Sequence, residues 1–129
     1  KYVQRVLLEL GVKEIFGKDR LFAVDDVLPS CKPEKEAFEV VFSRIGAKAE
    51  QCIMAEDSMK NIRCAKKLGM KTVLVAGKGR LSGISSAAAE ASEATKPGDS
   101  PDQHDPAVDV AVETVEELRE KMPELWTTR

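Results

Sequence analysis

The feature that most constrains this chain is a change of period within residues 51–70, QCIMAEDSMKNIRCAKKLGM: an apolar run stops at two adjacent acids and a helical pattern begins. Cys52, Ile53, Met54 and Ala55 form a short apolar run without alternation, which reads as a parallel strand buried on both faces. Glu56 and Asp57 then emerge at its carboxyl edge, where open α/β sheets place their ligand sites. Ser58 suits the N-cap of the next helix, whose apolar stripe is Ile62, Ala65 and Leu68, and Gly69 suits its stop.

The same alternation runs through the chain. Tyr2, Val3, Val6, Leu7 and Leu10 predict a first helix, ended by Gly11. Residues 21–24, LFAV, read as a first strand leading into Asp25 and Asp26. Pro33 suits the first position of a helix with Ala37, Phe38, Val41, Phe42 and Ile45 on one face and Gly46 as its stop. KTVLV at 71–75 reads as another strand. Residues 78–106 form a low-complexity insertion, read as a loop or a disordered segment, with a loose surface helix at 85–94 as an alternative for that stretch. A strand follows at 108–112, and Thr114 and Glu117 make a capping box for a last helix carrying Val115, Leu118 and Met122, ended by Pro123. Phe16, Phe22, Phe38 and Phe42 are expected in the core, and Trp126 as a packed anchor. This order predicts one α/β domain over 1–129, with a mostly parallel sheet between helices.

The 20 basic and 22 acidic residues leave a net charge of −2 with no basic stripe, which argues against nucleic-acid binding. Lys60, Arg63, Lys66 and Lys67 read as a solvated helix face. No apolar run approaches the ~20 residues of a membrane span, and the N-terminal stretch lacks the features of a secretory signal. Cys31, Cys52 and Cys64 show no CxxC spacing and are expected free and reduced, in a cytoplasmic or nuclear setting. His104, in the polar insertion, is expected to be neither ligand nor base. The chain opens on Lys1 inside a helical pattern, so a longer parent chain is expected.

Two carboxylates this close in a half-buried crevice are costly to hold unless they share a cation. A hard divalent ion such as Mg²⁺ fits, because it binds through one or two carboxylates and keeps waters or phosphate oxygens elsewhere. Lys32 is the candidate counter-charge for the remaining phosphate oxygens.

With Lys32-Pro33, the Glu56-Asp57-Ser58 triplet and Asn61 in place, the chain resembles the C-terminal part of a haloacid dehalogenase superfamily (HAD) phosphatase. The likeness covers residues 1–75 and resumes at 108–126. CKPEKEAFEVVF, EDSMKNIRCAKKLGMKTVLV and MPELW resemble the pyrimidine 5′-nucleotidase-like branch, from which the insertion departs. The resemblance implies a three-layer Rossmann-like core and hydrolysis of a small phosphomonoester, such as a nucleoside monophosphate, through an aspartyl-phosphate with Mg²⁺. It implies that Lys32 contacts the phosphate and the nucleophile, Asp57 ligates the metal, and Glu56 is a second ligand or orients a metal-bound water. Ser58 and Asn61 would fix the loop and helix start.

The family's Asp-x-Asp nucleophile motif, its phosphate-binding Ser or Thr and its cap domain are not found. Asp25 and Asp26 do not replace the first of these, being adjacent and directly ahead of the lysine motif. The expectation is therefore a core fragment lacking its first strands, inactive by itself. Two other readings stand beside it. One is a non-catalytic HAD-like scaffold or partner protein. The other is a receiver-type signalling domain, which is disfavoured because the interval from Asp26 to Asp57 is short and the expected Pro-x-x-[Asp/Asn]-Gly turn is missing.

Overall fold

The computed structural model describes residues 2–81 and 99–127. It divides into two compact units, Lys1–Ala49 and Glu50–Arg129.

The second unit is built on three parallel strands in the order β1 (Ile53–Glu56), β2 (Lys71–Val75) and β3 (Val110–Val112). Helix α4 (Met59–Lys67) joins β1 to β2. Alternation along β2 sorts its side chains onto two faces. Leu74 and Ala76 pack with Met59 and Ile62 of α4 and with Ala107, while Val73 packs with Val112, Leu118 and Met122. The second group covers the sheet through a 3-10 turn (Val115–Glu117) continued by α5 (Leu118–Lys121). Helix, sheet and helix thus make three layers, the α/β arrangement that the sequence predicts. Glu56 and Leu74 are register partners, so the ends of β1 and β2 lie side by side.

The strand at 53–56 is not buried on both faces. Ile53 is 40% exposed and Ala55 is exposed, whereas Met54 and Glu56 are half-buried. The four-residue α5 is too short to cover more than β2 and β3 on that side. Among the described residues β1 also pairs with β2 alone. Gly69 ends α4 as expected, with φ +96°.

The described end of the insertion, 99–106, and the residues that follow it are more ordered than their composition suggests. Asp99 accepts the Lys60 N–H at 2.9 Å and the Ser58 hydroxyl at 3.1 Å. Asp105 pairs with Arg63 at 2.9 Å, and Asp109 pairs with Lys66 while accepting the Thr72 N–H at 2.9 Å. Three aspartates of one segment thus meet α4 at successive turns, at 60, 63 and 66. Of the basic face expected to be solvated, Arg63 and Lys66 instead hold this strap, while Lys60 and Lys67 are exposed and Lys60 meets Asp99 through its backbone N–H. The helix proposed within 85–94 lies outside the described residues.

The first unit contains α1 (Tyr2–Glu9), α2 (Val24–Val27) and α3 (Lys35–Ile45). Gly11 and Gly46 close the first and third with left-handed φ values of +68° and +66°. The expected strand at 21–24 does not form. A strand needs a neighbour for its backbone groups, and residues 2–49 contain no other. Instead Asp26 accepts the Ala23 N–H at 2.7 Å and turns the chain into α2, and it also lies 3.7 Å from Arg44. Helix α3 starts at Lys35 with Glu34 as its N-cap, so Pro33 precedes the helix. Glu34 holds the turn: its N–H donates to the Cys31 carbonyl at 2.8 Å, and its carboxylate accepts the Cys31 N–H at 3.1 Å. Ala37 and Phe38 are buried, with the Phe42 ring 6.5 Å from that of Phe38. Phe22 is half-buried under the Arg44 guanidinium. Phe16, expected in the core, is exposed, and so is Trp126, which carries the Arg119 guanidinium over its ring instead of packing as an anchor.

Candidate functional site

The carboxyl ends of β1 and β2 open into a crevice of about 560 Å³, lined by Ala55, Glu56, Asp57, Val75, Ala76, Gly77 and Arg80. Strand β1 ends on Glu56, so the two carboxylates leave the sheet together. Glu56 is half-buried and held on both oxygens: Oε1 accepts the Asp57 N–H at 3.2 Å and Oε2 accepts from Asn61 Nδ2 at 3.1 Å. Asp57 is exposed at the crevice. Asn61 stands one turn into α4, is 7% exposed, and keeps its Oδ1 buried without a partner among the described residues.

Ser58 occupies the N-cap of α4, but its hydroxyl does not cap the helix. It bonds Asp99, whose carboxylate reaches the Lys60 N–H and so serves that helix end from within the insertion. An acid near a helix N-terminus is favourable, because the unpaired N–H groups there carry partial positive charge. Sequence alone does not reveal this pairing, since 41 residues separate the partners.

Of the expected site residues, Glu56, Asp57, Ser58 and Asn61 come together in the second unit. Lys32 belongs to the first unit, exposed in the turn that Glu34 closes ahead of α3. A cation that the sequence reading passed over, Arg80, lines the crevice itself. The sequence held a signal for it. GKGRL follows a strand that must lie beside β1, and adjacent parallel strands share the crevice at their carboxyl ends.

The donor set suits a hard cation. Two carboxylates at one strand end offer oxygen ligands only. That fits Mg²⁺, which retains waters beside one or two carboxylates.

The profile of the haloacid dehalogenase-like hydrolases matches residues 1–75. The chain belongs to this family. Within it, the chain is 39% identical over 69 residues to Pyrophosphatase PpaX of Halalkalibacterium halodurans, an alignment spanning 50% of this chain and 31% of that protein. Its fold is similar to the crystal structure of a HAD phosphatase from Thermococcus onnurineus, with a TM-score of 0.63 at 24% identity over 94% of this chain and 45% of the other. The chain therefore spans less than half the length of either relative. For this HAD core, the first-unit match includes the Lys32 turn and the second-unit match includes the carboxylate pair, both inside residues 1–75. No helix among the described residues is long and apolar enough to cross a membrane.

Proposed function

We propose that this chain is the part of a Mg²⁺-dependent HAD phosphatase core that holds the metal and the phosphate-binding lysine, with small phosphomonoesters as substrates. The observation that carries the reading is the Glu56–Asp57 pair at the carboxyl edge of a parallel sheet, opening onto a crevice, in a member of the haloacid dehalogenase-like hydrolases.

Asp57 would ligate the metal directly. Glu56, held by the Asp57 N–H and by Asn61, would act as a second ligand or orient a bound water. When bound, Mg²⁺ would offset charge on the transferring phosphoryl group, whose transition state is loose and calls mainly for positioning and charge balance. Lys32 would contribute a point charge toward the same group. Ser58 and Asn61 would keep the β1–α4 junction fixed, Ser58 through Asp99 and Asn61 through Glu56. The attacking carboxylate is not present in its Asp-x-Asp form within these 129 residues, so we assign them no turnover on their own. Three free cysteines support a reducing cytoplasmic or nuclear setting.

The pyrimidine 5′-nucleotidase-like stretches support a nucleoside monophosphate as substrate. The 39% identity to a pyrophosphatase supports a second reading, a phosphoanhydride of similar size. The test is calorimetric titration of the full chain with propylphosphonate, a non-hydrolysable monoanchor, in Mg²⁺ and in EDTA. Binding that requires Mg²⁺ and is lost in Asp57→Asn and weakened in Lys32→Ala supports the proposal. Equal binding in EDTA, or in Asp57→Asn, refutes it.

A further inference from the structure

The crevice is larger than a phosphoryl group requires, and its walls are uneven in chemistry. On the β1 side stand Glu56 and Asp57. On the β2 side Val75, Ala76 and Gly77 present small or apolar surface, and among the described residues Arg80 is the one charged side chain there. Arg80 is held there by its surroundings. Its N–H donates to the Gly77 carbonyl at 3.2 Å, closing a turn in which Gly77 and Gly79 both take left-handed φ values, +88° and +74°. A Cβ at Gly77 would stand 3.7 Å from the Arg80 Cδ, so the stem of the arginine passes over a position that carries no side chain. Glu113, just after β3, grips the backbone on either side of Arg80. Its two oxygens accept the Gly79 N–H at 2.9 Å and the Leu81 N–H at 3.1 Å. Glu113 is itself fixed, since its N–H donates to Glu117 at 3.1 Å.

We infer that Arg80 is a specificity-determining residue that binds a second anionic group of the substrate, and that Glu113 is a positioning residue for it. The inference rests on the reading of Asp57 as the metal and phosphoryl end. The portion of substrate beyond the phosphoryl group meets apolar surface and one guanidinium. A small anionic group, carboxylate or phosphate, matches that surface, because the planar fork of arginine pairs with either in two parallel hydrogen bonds. Among the described residues the β2 wall offers a nucleoside's sugar hydroxyls and base only the Arg80 guanidinium beside apolar surface. The inference therefore favours a compact substrate with two anionic ends over a nucleoside monophosphate.

A matched pair of probes tests it: propylphosphonate and 3-phosphonopropionate, which differ by a terminal methyl against a carboxylate. Both are titrated into the Mg²⁺-loaded full chain. The expected result is about tenfold tighter binding of 3-phosphonopropionate, corresponding to one charge-assisted contact. Arg80→Ala should abolish that preference by weakening 3-phosphonopropionate about tenfold more than propylphosphonate, and Arg80→Lys should keep part of it. Glu113→Ala should reduce the preference without altering propylphosphonate affinity, which loss of folding would not do. Equal affinities for the two probes, a preference that survives Arg80→Ala, or an Arg80→Ala defect shared equally by both probes overturns the inference and leaves the metal reading intact. Failure of both probes to bind in Mg²⁺ overturns the metal reading and this inference with it.

Discussion

Asp109 joins three elements of the second unit, and its removal has a calculable consequence. Its carboxylate accepts the Thr72 N–H at 2.9 Å and lies 3.1 Å from the Thr72 hydroxyl, and it pairs with Lys66 at the end of α4. Thr72 is fully buried, and its hydroxyl keeps a second bond to the Ala107 carbonyl at 2.5 Å. Asp109→Ala therefore strands a buried backbone N–H, which costs about 1–3 kcal/mol. The ion pair adds little, on the order of 0–1 kcal/mol, since the Lys66 side chain is 39% exposed and screened by water. The expected loss is about 1–4 kcal/mol. Asp109→Asn retains an acceptor for Thr72 and should lose only about 1 kcal/mol. Urea unfolding of the full chain followed by far-ultraviolet circular dichroism measures both. An alanine variant within about 0.5 kcal/mol of the parent, the range of an ordinary surface change, would refute the strap as a stabilising element.

Further outcomes follow from the same contacts. The Ala107 N–H, followed by Arg63, holds the Asp105 carboxyl below its ordinary 3.8 against the opposing effect of burial. At Asp109 burial pushes the carboxyl upward but is outweighed by bonds from Lys66 and Thr72, so it too is lowered from 3.8. A depressed folded-state value gives stability that is fully present above 3.8 and is lost as pH falls through the folded values. Urea midpoints should thus hold steady from neutral pH down to about pH 5 and fall below about pH 4, with a shallower fall in Asp109→Asn. At Gly46 the backbone is left-handed while a Cβ would meet nothing within 4 Å, so the cost of substitution is conformational alone. Gly46→Ala should destabilise by about 1 kcal/mol and Gly46→Asn by less, in thermal melts of the two variants.

The second unit was largely legible in the sequence because its signals are local. CIMA before Glu56-Asp57, the stripe of Ile62 and Ala65, the stop at Gly69 and the β-branched run at 71–75 each act within a few residues of themselves. They place β1, α4 and β2 correctly and put the acids at the strand end. What escaped depends on partners distant in sequence. LFAV has strand composition, but a strand exists only by pairing, and Asp26 offers the preceding backbone a local bond instead. Ser58 looked like a cap because its type and position are right, yet Asp99 supplies the acceptor from 41 residues away. Arg63 and Lys66 read as solvent-facing by helical period, which cannot see the aspartates of a returning segment. Arg80 was absorbed into a Gly-containing stretch whose composition suggested only a loop, while Glu113 fixes its backbone from the end of β3.

The central claim is that Glu56 and Asp57 form a Mg²⁺ site, and a metal titration tests it most directly. Amide resonances of the full chain are followed by nuclear magnetic resonance as Mg²⁺ is added. The account predicts saturable shifts centred on residues 55–58, with affinity lowered at least about tenfold in Asp57→Asn and also lowered in Asn61→Ala through loss of its hold on Glu56. Shifts that never saturate, or a site of undiminished affinity in Asp57→Asn, would contradict it.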